Sequence, residues 1–211
     1  PVGMPGVTAW YGLNRICAPK PGETVLVSAA SGAVGSVVGQ LAKQAGCRAI
    51  GIAGGPDKCE YVVSELGFDA CLDHRQHTDV KSMVRALRDV APQGIDGLFE
   101  NVGGVCLDAT LACMNPFGRI ALCGLIAGYG GQDIAIHNVR MLLVMRLKAQ
   151  GFIVSEHMDA WPQALAELGQ GVATGRIKYR ESIADGLAAA PEAFIGLLAG
   201  RNFGKQLVKL A

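Results

Sequence analysis

Short apolar segments alternate with helix-like segments along most of the chain. Each apolar segment is rich in β-branched residues or alanine and is bounded by glycine, proline or polar turn residues. Such segments are typical of strands that are buried on both faces. Because strands that are joined through helices usually lie parallel, the pattern predicts one parallel sheet with helices on both faces, an α/β architecture.

The alternation predicts six strands. They span Thr24–Ala29, Ala49–Ala53, Ala70–Leu72, Gly97–Glu100, Arg119–Leu122 and Gly151–Val154. The helices predicted between them span Ala33–Ala45, Asp57–Leu66, Val80–Val90, Val105–Met114 and Asn138–Arg146. We expect the doubly wound Rossmann arrangement with strand order 3-2-1-4-5-6, which is common among dinucleotide-binding sheets.

The two ends of the chain do not follow this alternation. The segment before the first strand contains a predicted lead-in helix, Thr8–Cys17, and the tail contains a predicted helix, Pro191–Leu198, and a final apolar strand, Lys205–Leu210. We therefore expect a dinucleotide-binding domain in residues 1–180, with residues 1–20 as its lead-in, and a separate tail in residues 181–211. The final strand has no obvious place in a completed six-stranded sheet.

A turn with a glycine pattern follows the first strand and indicates that the protein binds a dinucleotide. Its sequence, Ala30-Ser31-Gly32-Ala33-Val34-Gly35, matches the dinucleotide fingerprint G-x-G-x-x-G except for alanine at the first glycine. Gly32 would let the backbone approach a pyrophosphate, and Gly35 would let the following helix pack on the sheet. The helix N-terminus would supply N–H groups and a partial positive charge. The alternative is a tight turn that binds no ligand.

The end of the second strand indicates which dinucleotide is bound. An NAD-type site has an acidic residue there, which accepts a hydrogen bond from the ribose 2′-hydroxyl. Here the strand ends in Ala53-Gly54-Gly55, and Lys58 follows a few residues later. A missing acid with a nearby cation favours a 2′-phosphate and therefore NADP(H). The alternative is that Lys58 is a solvated lysine on the first turn of a helix.

Two further loops should lie beside the glycine turn if the strand order is correct. Asn101 follows the fourth strand and could bond to ribose or amide groups of a dinucleotide. Tyr129 closes the loop after the fifth strand and would place a hydroxyl group near the nicotinamide. The alternatives are an asparagine that caps its own loop and a tyrosine that only packs.

The net charge and the cysteine pattern exclude several kinds of partner and site. The formal net charge is +1 and no long block of like charge occurs, so we expect neither a nucleic-acid nor a membrane partner. The seven cysteines form no C-x-x-C pair and have no zinc spacing with histidine, so no metal site is predicted. Scattered reduced thiols are typical of a cytoplasmic protein.

A set of motifs resembles one family along the whole chain. These are "GMPGVTAWYGL", "AASGAVGSVVGQLAK", "LGFD", "FENVGG", "CGLIAGY", "QGFIVSEH" and "GRNFGKQLVKL". In this order they are similar to the medium-chain dehydrogenase/reductase superfamily, and most similar to its zinc-free, NADP-dependent alkenal/one double-bond reductases. Single motifs are shared with quinone oxidoreductases, which leaves a quinone reductase or a non-catalytic NADP(H)-binding module as alternatives.

The resemblance implies a reaction and a catalytic residue. Hydride would pass from NADPH to the β-carbon of an α,β-unsaturated ketone or aldehyde, and negative charge would develop on the carbonyl oxygen. A positioned O–H donor would stabilise that charge, and Tyr129 matches this role. His74, in Asp73-His74-Arg75, stands where the family usually has a tyrosine beside the adenosine phosphate.

The resemblance also assigns the cofactor-binding positions for NADP(H). They are Met4, Thr8, Gly32, Ala33, Val34, Gly35, Lys58, His74, Asn101, Cys123, Gly124, Leu125, Ile126, Phe152, Ile153, Val154 and Asn202. The family further implies an N-terminal GroES-like β-domain, to which the tail would return and which this chain lacks. We therefore expect a cofactor-binding fragment whose uncovered tail strand and apolar surface favour a homodimer.

Overall fold

Six parallel strands form the central sheet of the protein, with helices on both faces. The structure is a computed structural model that describes residues 1–210. The sheet strands are β1 (Thr24–Val27), β2 (Arg48–Ala53), β3 (Ala70–Asp73), β4 (Ile95–Glu100), β5 (Met114–Leu122) and β6 (Lys148–Gly151). The α-helices are α1 (Met4–Tyr11), α2 (Gly35–Gln44), α3 (Pro56–Ser64), α4 (Val80–Val90), α5 (Gly104–Leu111), α6 (Arg140–Val144), α7 (Trp161–Ala173) and α8 (Ala190–Leu198).

The order of the strands is β3-β2-β1-β4-β5-β6, and every neighbouring pair is parallel. This confirms the predicted Rossmann architecture and its strand order. In this order the chain reverses direction across the sheet between β1 and β4. Ligands of doubly wound sheets bind beyond the carboxyl ends of the strands at such a point.

The central strand β1 shows why an unbroken apolar run is needed. All four of its residues are buried. Val25 and Val27 belong to the core beneath α1, α2 and α7, whereas Leu26 belongs to the core beneath α4 and α5. Successive side chains of a strand point to opposite faces, so a strand between two helix layers must be apolar at every position.

The predicted sixth strand was misplaced. The strand is Lys148–Gly151, and it pairs with Arg119–Leu122 of β5, so the residues Phe152–Val154 follow it instead of forming it. The polar sequence of β6 gives no apolar signal because this edge strand is largely exposed. Phe152 is buried although it lies outside the strand, because its ring packs edge-on against the ring of Phe99, with ring centroids 6.3 Å apart.

The lead-in helix is longer than predicted. It begins at Met4, four residues before the predicted start, and continues past Tyr11 as a π-helical segment, Gly12–Cys17. Pro5 at its first turn supports the earlier start, because proline is tolerated where no intrahelical N–H bond is needed. Helix α7, which the sequence pattern did not reveal, packs Ala164 and Leu168 into the same core as α1.

The tail forms its own small sheet. Strand β8 (Lys205–Lys209) pairs in parallel with β7 (Glu181–Asp185). The final strand therefore lies outside the six-stranded sheet, as expected, and its partner in this chain is β7. Strand β7 was not predicted, because it contains no continuous apolar run. Its apolar residue Ile183 is 63% exposed. None of the helices in residues 1–210 has the length and apolar character needed to cross a bilayer.

The contact between α2 and the Phe68 ring generates a stability prediction. A Cβ atom on Gly39 would lie 1.8 Å from Cζ of Phe68. Gly39→Ala should therefore lower the free energy of unfolding by about 1–3 kcal/mol through overpacking, although alanine favours a helix by about 1 kcal/mol. Urea denaturation measures this change.

Gly169 in α7 provides the control, because nothing lies within 4 Å of a Cβ atom placed there. Gly169→Ala should raise the free energy of unfolding by up to about 1 kcal/mol. Equal effects of the two substitutions would contradict this account of the α2 contact.

Candidate cofactor-binding site

A cavity of about 810 Å³ opens at the carboxyl edge of the central sheet. The loops after β1, β2, β3, β4 and β5 contribute to its wall, and the tail after α8 forms another side. The wall is mostly apolar, with a few basic and polar side chains. This composition is typical of sites that bind a cofactor or another small molecule.

The glycine turn forms the floor between β1 and α2. Gly32 lines the cavity, and α2 begins at Gly35. A Cβ atom on Gly35 would lie 2.4 Å from the carbonyl oxygen of Ala29 and 3.0 Å from Cα of Ala30. The helix can therefore start this close to the strand only with glycine at position 35.

Alanine at the first fingerprint position has a structural counterpart in the neighbouring strand. The methyl group of Ala30 is buried, and it lies 2.8 Å from where a Cβ atom of Gly51 would be. Gly51 belongs to β2. Because Gly51 has no side chain, the methyl group of Ala30 fits against β2. The turn therefore keeps its close packing although the first glycine is missing.

Three basic side chains gather at the ends of β2 and β3. A Cβ atom on Gly54 would lie 2.7 Å from Nε2 of His74, and one on Gly55 would lie 3.1 Å from Nη1 of Arg75. These two glycines thus leave room for the basic side chains against the backbone. Lys58, on the first turn of α3, lines the same part of the cavity.

Lys58 and Arg75 carry the positive charge of this cluster, and their charges disfavour the protonated form of His74. Burial lowers the pKa of His74, Asp73 opposes this effect, and the charges of Arg75 and Lys58 lower it again. Burial, followed by the charge of Arg75, also lowers the pKa of Lys58. Within residues 1–210, neither Lys58 nor Arg75 takes part in an ion pair. The cluster therefore fits an anionic ligand.

Asp73 does not neutralise this charge by a side-chain pair. Its Oδ1 accepts hydrogen bonds from the backbone N–H groups of Gly55 at 2.8 Å and Arg75 at 3.0 Å. Burial opposes ionisation, but these bonds and the adjacent basic groups hold the pKa of Asp73 below its usual value. The carboxylate thus fixes the two loops that carry the basic cluster.

The tail reaches the same cavity from the opposite side. Nζ of Lys58 donates to the carbonyl oxygen of Gly200 at 2.7 Å. Asn202 lines the cavity and donates from Nδ2 to the carbonyl oxygen of Gly204 at 2.8 Å. Gly204 forms a parallel bridge with Gly32 of the glycine turn. The tail therefore contacts both the basic cluster and the turn.

The loops after β4 and β5 are tied to each other and to β1. Asn101 donates from Nδ2 to the carbonyl oxygen of Ser28 at 2.7 Å, so its amide group holds the strand ends together. The backbone N–H of Cys123 donates to the carbonyl oxygen of Glu100 at 2.9 Å. Tyr129 is 65% exposed, and its hydroxyl oxygen lies 3.5 Å from the Cβ position of Gly124.

The structure brings some of the predicted cofactor positions to the cavity wall and leaves others beside it. Those that line the wall are Gly32, Lys58, His74, Ile126 and Asn202. The remaining cofactor positions do not line it; they are Met4, Thr8, Ala33, Val34, Gly35, Asn101, Cys123, Gly124, Leu125, Phe152, Ile153 and Val154. The predicted catalytic residue Tyr129 does not line it either.

Other wall residues were not assigned from the sequence. They include His77, Thr78, Val102, Gly103 and Cys106. The dipeptide Gly103-Gly104 after the fourth strand could have indicated some of them, because glycines at the carboxyl end of a strand often allow a ligand to approach the backbone.

Comparison with known protein families identifies the family of this chain. Residues 33–170, which run from the last three residues of the glycine turn through the strand ends after β2 to β6, match the model of the zinc-binding dehydrogenase family. The chain belongs to the zinc-binding dehydrogenase family. This confirms the resemblance to medium-chain dehydrogenases/reductases that the motifs indicated.

Relatives within this family are reductases by name. The chain is 44% identical over 211 residues to a 2-alkenal reductase (NADP(+)-dependent) of Nicotiana tabacum, covering 100% of this chain and 61% of the relative. It is 44% identical over 217 residues to the NADPH-dependent curcumin reductase of Escherichia coli, covering 100% of this chain and 62% of the relative.

A solved structure shares the fold closely. The crystal structure of CurA from Vibrio vulnificus in complex with NADPH superimposes with a TM-score of 0.92 at 45% identity, covering 99% of this chain and 63% of that chain. The chain therefore spans about three fifths of the length of the relatives it matches.

The zinc in the name of the dehydrogenase family has no counterpart in the described part of the chain. No group of three or more His, Cys, Asp or Glu side chains within residues 1–210 is arranged to hold a metal ion. The cysteine and histidine side chains of residues 1–210 therefore do not fit a zinc site.

Proposed function

We propose that the chain is the cofactor-binding part of an NADPH-dependent reductase that acts on the C=C bond of α,β-unsaturated aldehydes or ketones. The basic cluster of Lys58, His74 and Arg75 carries this proposal, because it lies where a dinucleotide-binding sheet places the adenosine ribose. The names of the 2-alkenal and curcumin reductases, and the NADPH complex of CurA, support it.

The residues of the cavity fit NADP(H) in two separate places. The glycine turn and the start of α2 offer backbone N–H groups and a helix N-terminus to the pyrophosphate. The basic cluster offers charge-assisted hydrogen bonds to a 2′-phosphate, for which Lys58 would exchange its bond with Gly200. The nicotinamide half would then extend toward the loops after β4, β5 and β6.

The proposed chemistry assigns one proton-donating group to this chain. When bound, NADPH would supply the hydride for the β-carbon of the substrate, and a proton from water would complete the product at the α-carbon. The hydroxyl group of Tyr129 would donate a hydrogen bond to the carbonyl oxygen, where negative charge develops in the transition state. The exposure of Tyr129 leaves its hydroxyl group accessible to a substrate that approaches over the carboxyl edge of the sheet.

We also propose a cytoplasmic homodimer that forms through the β6 edge of the sheet. Strand β6 is the last strand in the sheet order, so one side of its backbone is unpaired in this chain. Exposed apolar side chains lie near it: Leu143 on α6 is 81% exposed, and Val144 and Phe117 are also exposed. The open edge and the apolar patch together suit a second copy of this chain.

The cofactor proposal predicts a selective loss of affinity. Lys58→Met should weaken NADPH binding about tenfold or more and leave NADH binding nearly unchanged, because one charge-assisted bond to the 2′-phosphate contributes about 1.5–3 kcal/mol. Isothermal titration calorimetry with both cofactors measures this difference.

Lys43 provides the matched control, because this lysine pairs with Asp69, outside the cavity. Lys43→Met should leave the affinities for both cofactors unchanged. An equal loss of NADPH and NADH affinity in Lys58→Met would show that Lys58 does not bind a 2′-phosphate.

The catalytic proposal predicts a rate effect in the longer parent protein. Tyr129→Phe should lower kcat for an enone substrate about a hundredfold or more with little change in NADPH affinity, because a transition-state donor is lost. Steady-state kinetics measure kcat. Unchanged turnover would leave Tyr129 with a packing role only.

The dimer proposal predicts that one surface substitution separates the copies. Leu143→Glu places a charge in the exposed apolar patch and should convert the dimer into a monomer while thermal stability of the monomer is retained. Light scattering coupled to size-exclusion chromatography gives the mass. A wild-type chain that is monomeric at high concentration would refute the proposal.

A further inference from the structure

A buried carboxyl group joins the carboxyl ends of β1 and β4. Glu100 is 0% exposed. Its Oε1 accepts hydrogen bonds from the hydroxyl of Ser28 at 2.7 Å, from the N–H of Gly103 at 2.9 Å and from the N–H of Val102. Among residues 1–210, its other oxygen, Oε2, has no hydrogen-bond partner.

Ser28 completes a closed network around this carboxyl group. Its hydroxyl oxygen accepts a hydrogen bond from the N–H of Asn101 at 2.8 Å, and its carbonyl oxygen accepts one from Nδ2 of Asn101 at 2.7 Å. Three consecutive residues after β4 are thus bonded to Glu100 or Ser28. Ser28 also lies two residues before the start of the glycine turn, so the network holds two loops of the cavity in one arrangement.

The environment of Glu100 acts on its pKa in two opposing directions. Burial raises the pKa of Glu100, although the hydrogen bonds from Gly103, Ser28 and the neighbouring N–H groups act in the opposite direction. A neutral carboxyl group still offers Oε1 as an acceptor for all three donors. The function of the group in this network is therefore to accept hydrogen bonds, and a neutral amide of the same shape could replace it.

We propose that Glu100, acting with Ser28, is a positioning residue that sets the segment Asn101–Gly103 against the glycine turn and thereby determines affinity for the nicotinamide-bearing part of the dinucleotide. This inference rests on the proposed binding of NADP(H). Val102 and Gly103 line the cavity, and β4 lies on the side of β1 opposite to β2 and β3, which carry the basic cluster. The network therefore acts on a different part of the cofactor from Lys58.

Asp96 offers a matched control at the other end of the same two strands. Its Oδ2 accepts a hydrogen bond from the N–H of Thr24 on β1 at 2.9 Å, and its Oδ1 accepts one from Nδ2 of Asn115 at 2.8 Å. Like Glu100 it joins β1 and β4 through a carboxyl group, but it lies at their amino ends, away from the cavity.

The test compares NADPH with 2′,5′-ADP, a ligand that carries the 2′-phosphate but no nicotinamide. Glu100→Ala should weaken NADPH binding about tenfold or more, because the loop loses its shared acceptor, while 2′,5′-ADP affinity changes less than about twofold. Glu100→Gln keeps the acceptor and should retain NADPH affinity within about threefold.

Two further variants distinguish a positioning role of the network from a general effect on stability. Ser28→Ala removes one donor without creating a large cavity, so it should show the same selective loss of NADPH affinity even if Glu100→Ala fails to fold. Asp96→Asn should lower the melting temperature without changing the ratio of the two affinities. A general loss of stability would alter both ligands together, so this ratio separates positioning from a merely structural role.

Three results would overturn the inference. They are an unchanged ratio in Ser28→Ala, an unchanged ratio in a folded Glu100→Ala, and a Glu100→Gln variant as weak as Glu100→Ala. Failure of the wild-type chain to bind either ligand would instead refute the proposed cofactor, so the two failures are distinguishable.

Discussion

The close approach of α2 to the end of β1 is the constraint on which the rest of the site depends. With 2.4 Å between the Cβ position of Gly35 and the carbonyl oxygen of Ala29, no side chain fits there. This approach aims the helix N-terminus at the edge where the parallel strands end. The glycine at position 51 of β2 leaves room for the methyl group of Ala30, so the turn also packs closely against β2. A larger side chain at any of these positions would displace the helix start from the cavity.

Around this fixed point the site divides into two electrostatic halves. On the side of β2 and β3, Lys58 and Arg75 supply positive charge, His74 adds an imidazole, and Asp73 is bonded to backbone N–H groups. On the side of β4, the acidic group Glu100 is fully buried, burial raises its pKa, and its Oε1 accepts hydrogen bonds from the loop after the strand. One half is thus suited to an anion and the other to a neutral ring with hydrogen-bonding groups. This division matches the chemistry of NADP(H), with a 2′-phosphate at one end and a nicotinamide at the other.

The sheet and its order could be predicted from the sequence because buried parallel strands must be apolar at every position, as β1 is. The exposed strands could not be predicted in this way, because they have no continuous apolar sequence. Strand β6 has a polar sequence, and Ile183 of β7 is exposed. Lys58 could be placed at the cavity from the strand end that it follows, whereas His74 could be placed there only from the resemblance to the reductase family. The network of Ser28 and Glu100 could not, because a serine and a glutamate separated by 71 residues meet only after the strand order is known.

The central claim is that this chain binds a 2′-phosphate at its basic cluster, and ³¹P NMR of bound NADP⁺ tests it most directly. The account predicts that the 2′-phosphate resonance shifts on binding and that its pKa falls below the free value of about 6, because nearby cations favour the dianion. Arg75→Gln should reduce both changes. A 2′-phosphate that keeps its free chemical shift and titration, while the pyrophosphate resonances move, would contradict the account.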